Sequence, residues 1–203
     1  YNLPVPETRL ARSSEEAASM AMQIGFPVVL KIASPHISHK TDVGGVMIGL
    51  KTPEEVKTAF SQITHSAQRL RREAYIAGCL VQKMAPEGCK EVIVGFKRDE
   101  QFGPLVMFGL GGIYVEVLKD ISFRLAPLTA EDARTMIREI KSYLVLKGFR
   151  GEPGVNFAAL EKIILAISQL ACDFPEIYEA EFNPVLVNHE KALVADVRLS
   201  LSY

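Results

Sequence analysis

The chain has 203 residues, enough for one domain or a pair of lobes, and at this length folding buries roughly 70% of the surface exposed by the unfolded chain. Its 48% apolar and 23% charged residues are ordinary for a globular protein, and its net charge of −1 argues against a nucleic-acid partner. No apolar run is long enough to cross a bilayer and the start is not a signal peptide, so neither a membrane nor export is expected.

The opening Tyr1-Asn-Leu-Pro-Val-Pro begins abruptly, which predicts one piece of a longer polypeptide. Ser13 and Glu16 form a capping box, and Ala17, Met20, Ala21 and Ile24 follow at helical spacing until Gly25 and Pro27 stop the helix. A buried strand is predicted over 28–32 and another over 46–50. Thr52 and Pro53 open a second helix whose inner face is Val56, Ala59, Phe60, Ile63, Ala67 and Leu70. Arg69, Arg71 and Arg72 are the one dense basic run and read as a solvated helix end. A strand over 79–84 would close the first lobe, about 1–84, and the turn-rich 85–90 is the candidate hinge.

The second lobe, about 85–203, is expected to hold strands over 91–96, 105–110 and 122–126. Thr129 caps a helix with Ala133, Met136, Ile137 and Ile140 inside. A helix over 157–172 presents Leu160, Ile163, Ile164, Ile167 and Ala171, and strands over 177–187 and 192–199 end the chain. This mixture of hairpins and helices predicts an α+β fold of two lobes. The three cysteines Cys79, Cys89 and Cys172 fit no zinc spacing and read as free thiols in a reducing cytoplasm.

The stretch over 31–45 concentrates the chemistry: two histidines, His36 and His39, two lysines, Asp42 and the pair Gly44-Gly45. Glycine lets backbone N–H groups approach an anion, so a phosphate loop is one reading. Lys31 ends an apolar strand and either snorkels to water or meets a buried anion. Either histidine could accept a phosphoryl group as neutral imidazole, although a loop histidine is more often a surface residue. Gly109-Leu-Gly-Gly112 could cradle phosphates or simply make a hairpin turn.

The last hairpin allows a sharper inference. With 188–191 as the turn, Val187 faces Ala192, Asn183 faces Asp196 and Glu181 faces Arg198. Directly opposed side chains share a face, so Glu181, Asn183 and Asp196 converge while Tyr178, Ala180 and Phe182 point the other way. Clustered oxygen donors suit Mg2+. The plainer alternative is a solvated polar face with a Glu181–Arg198 pair.

Taken together, Gly25-Phe-Pro-Val-Val-Leu-Lys31, Ser34-Pro-His-Ile-Ser-His-Lys-Thr-Asp-Val-Gly-Gly-Val46, Phe102-Gly-Pro104, Phe108-Gly-Leu-Gly-Gly-Ile-Tyr-Val-Glu116, Glu181-Phe-Asn-Pro184 and Val194-Ala-Asp-Val-Arg198 carry a resemblance. The chain resembles the ATP-grasp domain of NDP-forming acyl-CoA synthetases, a group that includes ADP-forming acetyl-CoA synthetase and is related to succinyl-CoA synthetase.

The resemblance implies two lobes with ATP or ADP and Mg2+ between them. It implies that Lys31 contacts phosphates, that backbone at Gln82, Lys83 and Met84 carries the adenine, and that Glu91 lies near the ribose. Gly111 and Gly112 would cover the phosphates, Arg124 would neutralise them, and Asn183, Asp196 and Glu181 would hold the metal. His39 matches the phosphohistidine, while His36 falls at a variable position. The extra residue in Gly88-Cys-Lys-Glu91 departs from the pattern and loosens the assignment of Glu91. The implied activity is that of an acid–thiol ligase, acyl-CoA + ADP + phosphate ⇌ acid + CoA + ATP. It is incomplete without a CoA-binding α subunit or upstream domain. The alternatives are a non-catalytic regulatory module, as in fused acetyltransferases, and a carboxylate–amine ligase of the wider superfamily, which has no use for the His39 loop.

Overall fold

The structure, a computed structural model, describes residues 1–111 and 120–202. Helix starts follow the local chemistry. The Ser13 hydroxyl accepts from the Glu16 amide at 3.1 Å, and the Glu16 carboxylate accepts from Arg12 N at 2.7 Å. Thr52 and Glu55 repeat the arrangement, with Glu55 accepting from Lys51 N. Each pair satisfies amides that the first helical turn leaves without a partner.

One compact unit spans Pro6–Ala85. Its elements are β1 (Thr8–Ala11), α1 (Ser14–Ile24), β2 (Val28–Ala33), β3 (Val46–Leu50), α2 (Pro53–Leu70) and β4 (Gly78–Lys83). The four strands form an antiparallel sheet in the order β1-β4-β2-β3. The short β1 was not expected, and by pairing with β4 it moves that strand from the edge to the interior of the sheet. Val28, Leu30, Ile32 and Val81 are fully buried under Ala17, Ala21, Val56, Ala59 and Ile63 of the two helices. Each buried Val, Leu or Ile side chain contributes about 1.5–3 kcal/mol by leaving water. Leu70, expected inside, is 52% exposed because the helix ends there.

The other unit comprises Tyr1–Val5 and Pro86–Tyr203. Tyr1–Val5 belong with it because Val194 N donates to Pro4 O at 2.8 Å. It contains β5 (Lys90–Asp99), β6 (Gly103–Leu110), β7 (Ile121–Leu125), α3 (Ala130–Glu139), α4 (Tyr143–Lys147), α5 (Phe157–Asp173), β8 (Ile177–Val187), β9 (Ala192–Val194) and β10 (Val197–Leu201). The sheet order is β10-β8-β5-β6-β7, with β9 on β8, and every pairing is antiparallel. Val92, Val94, Phe96, Val106, Phe108, Ala180 and Phe182 bury one face of this sheet with Met136, Ile137, Ile163, Ile164 and Ile167 of α3 and α5. The alternate residues therefore form a second face on which neither helix packs. Tyr178, expected beside Ala180 and Phe182, is 39% exposed and lies under the Lys97 ammonium at 5.5 Å from the ring centre.

Candidate functional site

The last hairpin takes the register expected of it. Val187 pairs with Ala192, Val185 with Val194, Phe182 with Val197 and Glu181 with Arg198. Asn183 N donates to Asp196 O at 3.1 Å, and Ala195 N to Pro184 O at 3.0 Å, so Asn183 and Asp196 are opposite. The ladder is interrupted there, between β9 and β10, beside the cis Asn183-Pro184 peptide bond. Across β5 the register also shifts, since Val92 pairs with Val185 but Val94 with Phe182. This bulge inverts the alternation of β8: Ala180 and Phe182 enter the core before it, Val185 and Val187 after it.

Glu181 and Asn183 are left on the face that neither α3 nor α5 covers, where the Asn183 side-chain amide donates to Glu181 Oε1 at 2.8 Å. With its nitrogen committed to Glu181, the amide has its carbonyl oxygen to offer a cation. Gly95, opposite Glu181, carries no side chain over this face, and a Cβ there would stand 2.7 Å from Ala180 O. Glu91 lies at the near end of β5, where Gly111 N donates to Glu91 O at 2.7 Å. A Cβ at Gly111 would be 2.9–3.0 Å from Glu91 atoms, so a glycine is required. Gly112 lies outside the described residues.

In the Pro6–Ala85 unit, Lys31 sits in the middle of β2 and is 7% exposed. Its neighbours Leu30 and Ile32 enter the helix-covered core, so Lys31 belongs to the opposite face. Gln82 pairs with Val29 and shares that face, one register step from Lys31, with its Nε2 donating to Thr8 Oγ1 at 2.9 Å. His39 is exposed in the loop that follows β2. The loop is tied back through Ile32 N to Gly45 O at 2.7 Å and Ser66 Oγ to Val43 O at 2.8 Å.

The family model for the ATP-grasp domain matches residues 1–201. The chain belongs to the ATP-grasp family. Among curated relatives, this ATP-grasp chain is 51% identical over 201 residues to the Acetate–CoA ligase [ADP-forming] I subunit beta of Pyrococcus furiosus, covering 99% of the chain and 86% of that subunit. It is 46% identical to the Acetate–CoA ligase [ADP-forming] I of Archaeoglobus fulgidus, but spans only 29% of that protein. A solved structure of the dinucleotide forming acetyl-coenzyme A synthetase 1 of Ca. Korarchaeum cryptofilum, in complex with coenzyme A, Ca-AMPCP and HgCl+, superposes with a TM-score of 0.96 at 46% identity, covering 100% of this chain and 88% of that one.

Three stretches of this ATP-grasp chain meet local partners. Arg124 stands on the helix side of its sheet: it pairs with Val106, whose side chain is in the core, and its guanidinium donates to Glu139 of α3. The hydrogen bond that it donates to the Glu139 carboxylate raises its already high pKa. Lys83 likewise points to the helix side, where its ammonium donates to the Gly25 carbonyl at 2.7 Å. The amides of Lys83 and Met84 donate to Glu7 O and Pro27 O. Gly44 and Gly45 close their own loop: Gly44 N donates to Thr41 O and Gly45 N to Lys40 O, so these amides do not form a phosphate cradle.

Glu181, Asn183 and Asp196 fit a hard divalent cation by donor type, all being oxygen ligands. Among the described residues, no cluster of three His, Cys, Asp or Glu side chains could hold a metal by itself. An ion held here would draw the rest of its shell from phosphate oxygens and water, which is the usual arrangement for Mg2+.

Proposed function

We propose that this chain is the nucleotide-binding half of an ADP-forming acyl-CoA synthetase. A CoA-binding subunit or domain would complete acyl-CoA + ADP + phosphate ⇌ acid + CoA + ATP. The observation that carries the reading is the set of oxygen donors Glu181, Asn183 and Asp196 brought together by the last hairpin of the second sheet.

Lys31, Gln82, Glu91 and Gly111 are the proposed nucleotide contacts. Lys31, held in the middle of a strand, brings a fixed positive charge to the phosphates with little reorganisation. Asn183 is oriented by Glu181 and presents its carbonyl oxygen beside the Asp196 carboxylate. A divalent ion bound there would neutralise charge on the transferring phosphoryl group. His39 accepts that group on a ring nitrogen, forming an N–P bond as the P–O or N–P bond to the donor breaks. The ADP terminal oxygen then takes it, the N–P bond breaks and neutral imidazole returns. The acid and CoA chemistry belongs to the partner, which sets the acyl group.

Incubation with [γ-32P]ATP, Mg2+ and the partner half should leave acid-labile, base-stable label on the chain. Label is expected to vanish in His39→Ala and to persist in His36→Ala. Equal labelling of the His39→Ala variant would overturn the assignment.

A further inference from the structure

We propose a second anion site, on the surface groove formed by His36, Arg71 and Arg72, that takes a phosphate or phosphate-monoester dianion. The groove holds about 560 Å3 and is lined by these three residues with Glu73 and Ala74. It lies wholly within the Pro6–Ala85 unit.

The residues come from two places in the chain. Arg71 caps the C-terminal end of α2, where its N–H donates to Ala67 O at 2.9 Å, and Ala74 N turns back to Arg71 O at 3.0 Å. His36 arrives from the loop after β2. Its Nδ1 accepts from Tyr75 N at 2.9 Å, which puts the ring proton on Nε2 and makes that nitrogen the donor at the other end of the ring. The His36 amide in turn donates to Ser34 Oγ at 3.1 Å. The imidazole is therefore pinned at both the ring and the backbone.

Among the described residues, no side-chain hydrogen bond or ion pair engages the guanidinium of Arg71 or Arg72, Glu73 included. Basic residues after a helix C-terminus complement its dipole, and that accounts for the arginines. It does not account for a histidine from another loop fixed beside them. Two guanidiniums offer forked donors matched to phosphate oxygens, and an N–H donor completes a set that outweighs the single carboxylate of Glu73. The groove adjoins a second one of about 420 Å3 that shares Ala74 and adds Tyr75 and Phe60. A ligand larger than orthophosphate thus has an aromatic surface next to its anion. Two sources carry this chemistry: free phosphate, and the phosphate ester of coenzyme A, the latter resting on the function proposed above.

The test follows the side-chain NMR signals of His36, Arg71 and Arg72 in the full chain during titration with sodium phosphate at constant ionic strength. Saturable shifts in all three are expected, weakened at least tenfold in the Arg71→Gln/Arg72→Gln double variant and unchanged in Lys31→Met. Shifts that rise linearly, that sodium chloride reproduces, or that survive the double variant overturn the site. Loss of the shifts in Lys31→Met assigns them to the nucleotide site and overturns it too. Parallel titrations separate the sources. Tighter binding of coenzyme A than of phosphate, abolished in dephospho-coenzyme A, names the ester, and equal affinities name free phosphate. These binding readouts do not depend on His39 phosphorylation, so either idea can fail without the other.

Discussion

The side-chain amide of Asn183 donates to Glu181 at 2.8 Å, two residues back along one strand, and both stand on the sheet face opposite Phe182. That bond fixes which end of the Asn183 amide is available. Asn183→Leu keeps the volume but removes the oxygen, and Asp196→Asn removes the charge. Each should lower phosphoryl transfer about 10–100-fold or more and raise the Mg2+ concentration needed for half-maximal rate. Asn183 is exposed, so stability should stay within about 0.5 kcal/mol. Mg2+ titrations of initial rate, with urea melts as control, check this pair.

Arg124 and Lys31 separate an ion-paired cation from one proposed to meet the phosphates. Arg124→Gln breaks a partly exposed ion pair with Glu139 and should cost no more than about 1 kcal/mol. ATP affinity should change less than twofold. Lys31→Met should weaken ATP at least about tenfold, equivalent to about 1.4 kcal/mol. Calorimetric titration with ATP distinguishes them, and a large loss in Arg124→Gln would show that the arginine swings to the phosphates.

Gly45 has no room for a methyl group. A Cβ there would lie 2.6 Å from both Ile32 Cγ2 and the Lys40 carbonyl oxygen. Gly45→Ala should therefore destabilise the chain by about 1–3 kcal/mol through overpacking, read as a lower urea midpoint at unchanged slope. At Gly49, where nothing lies within 4 Å but φ is +74°, alanine meets only backbone strain, about 1 kcal/mol.

Asp120 provides a pH test. Burial pushes its carboxyl up, but hydrogen bonds from Ser142 and Lys141 outweigh this and hold it below the ordinary value. A lowered folded value means the contribution is complete above about pH 4 and is lost as the pH falls through the folded value. Asp120→Asn should cost about 1–3 kcal/mol at pH 6, and the gap to wild type should narrow below pH 4. Urea unfolding at pH 6 and pH 3 measures it. A gap that widens in acid would reverse the sign.

The geometry of the last hairpin was legible because its information is local. The hairpin register followed from one turn and a period of two, and it set Glu181 against Arg198 and Asn183 against Asp196. The caps at Ser13, Thr52 and Thr129 were legible for the same reason: a short polar side chain reaches only the next turn. The bulge opposite Ile93 was not, since it concerns the pairing of β8 with a strand far away in sequence. The strand β1 was missed because four residues carry too little pattern to stand apart from a loop.

The sequence by itself determined most of the elements and their order, the caps at Ser13, Thr52 and Thr129, the register of the last hairpin and the family motifs. Only the tertiary structure decided which parity meets helices and which stays uncovered. That choice turned Arg124 and Lys83 toward the helix side of their sheets, and placed Lys31 and Gln82 on the face away from α1 and α2 and Glu181 and Asn183 on the face away from α3 and α5. The reason is physical: alternation is a property of a single extended backbone, whereas coverage depends on apolar helix faces supplied by segments tens of residues away.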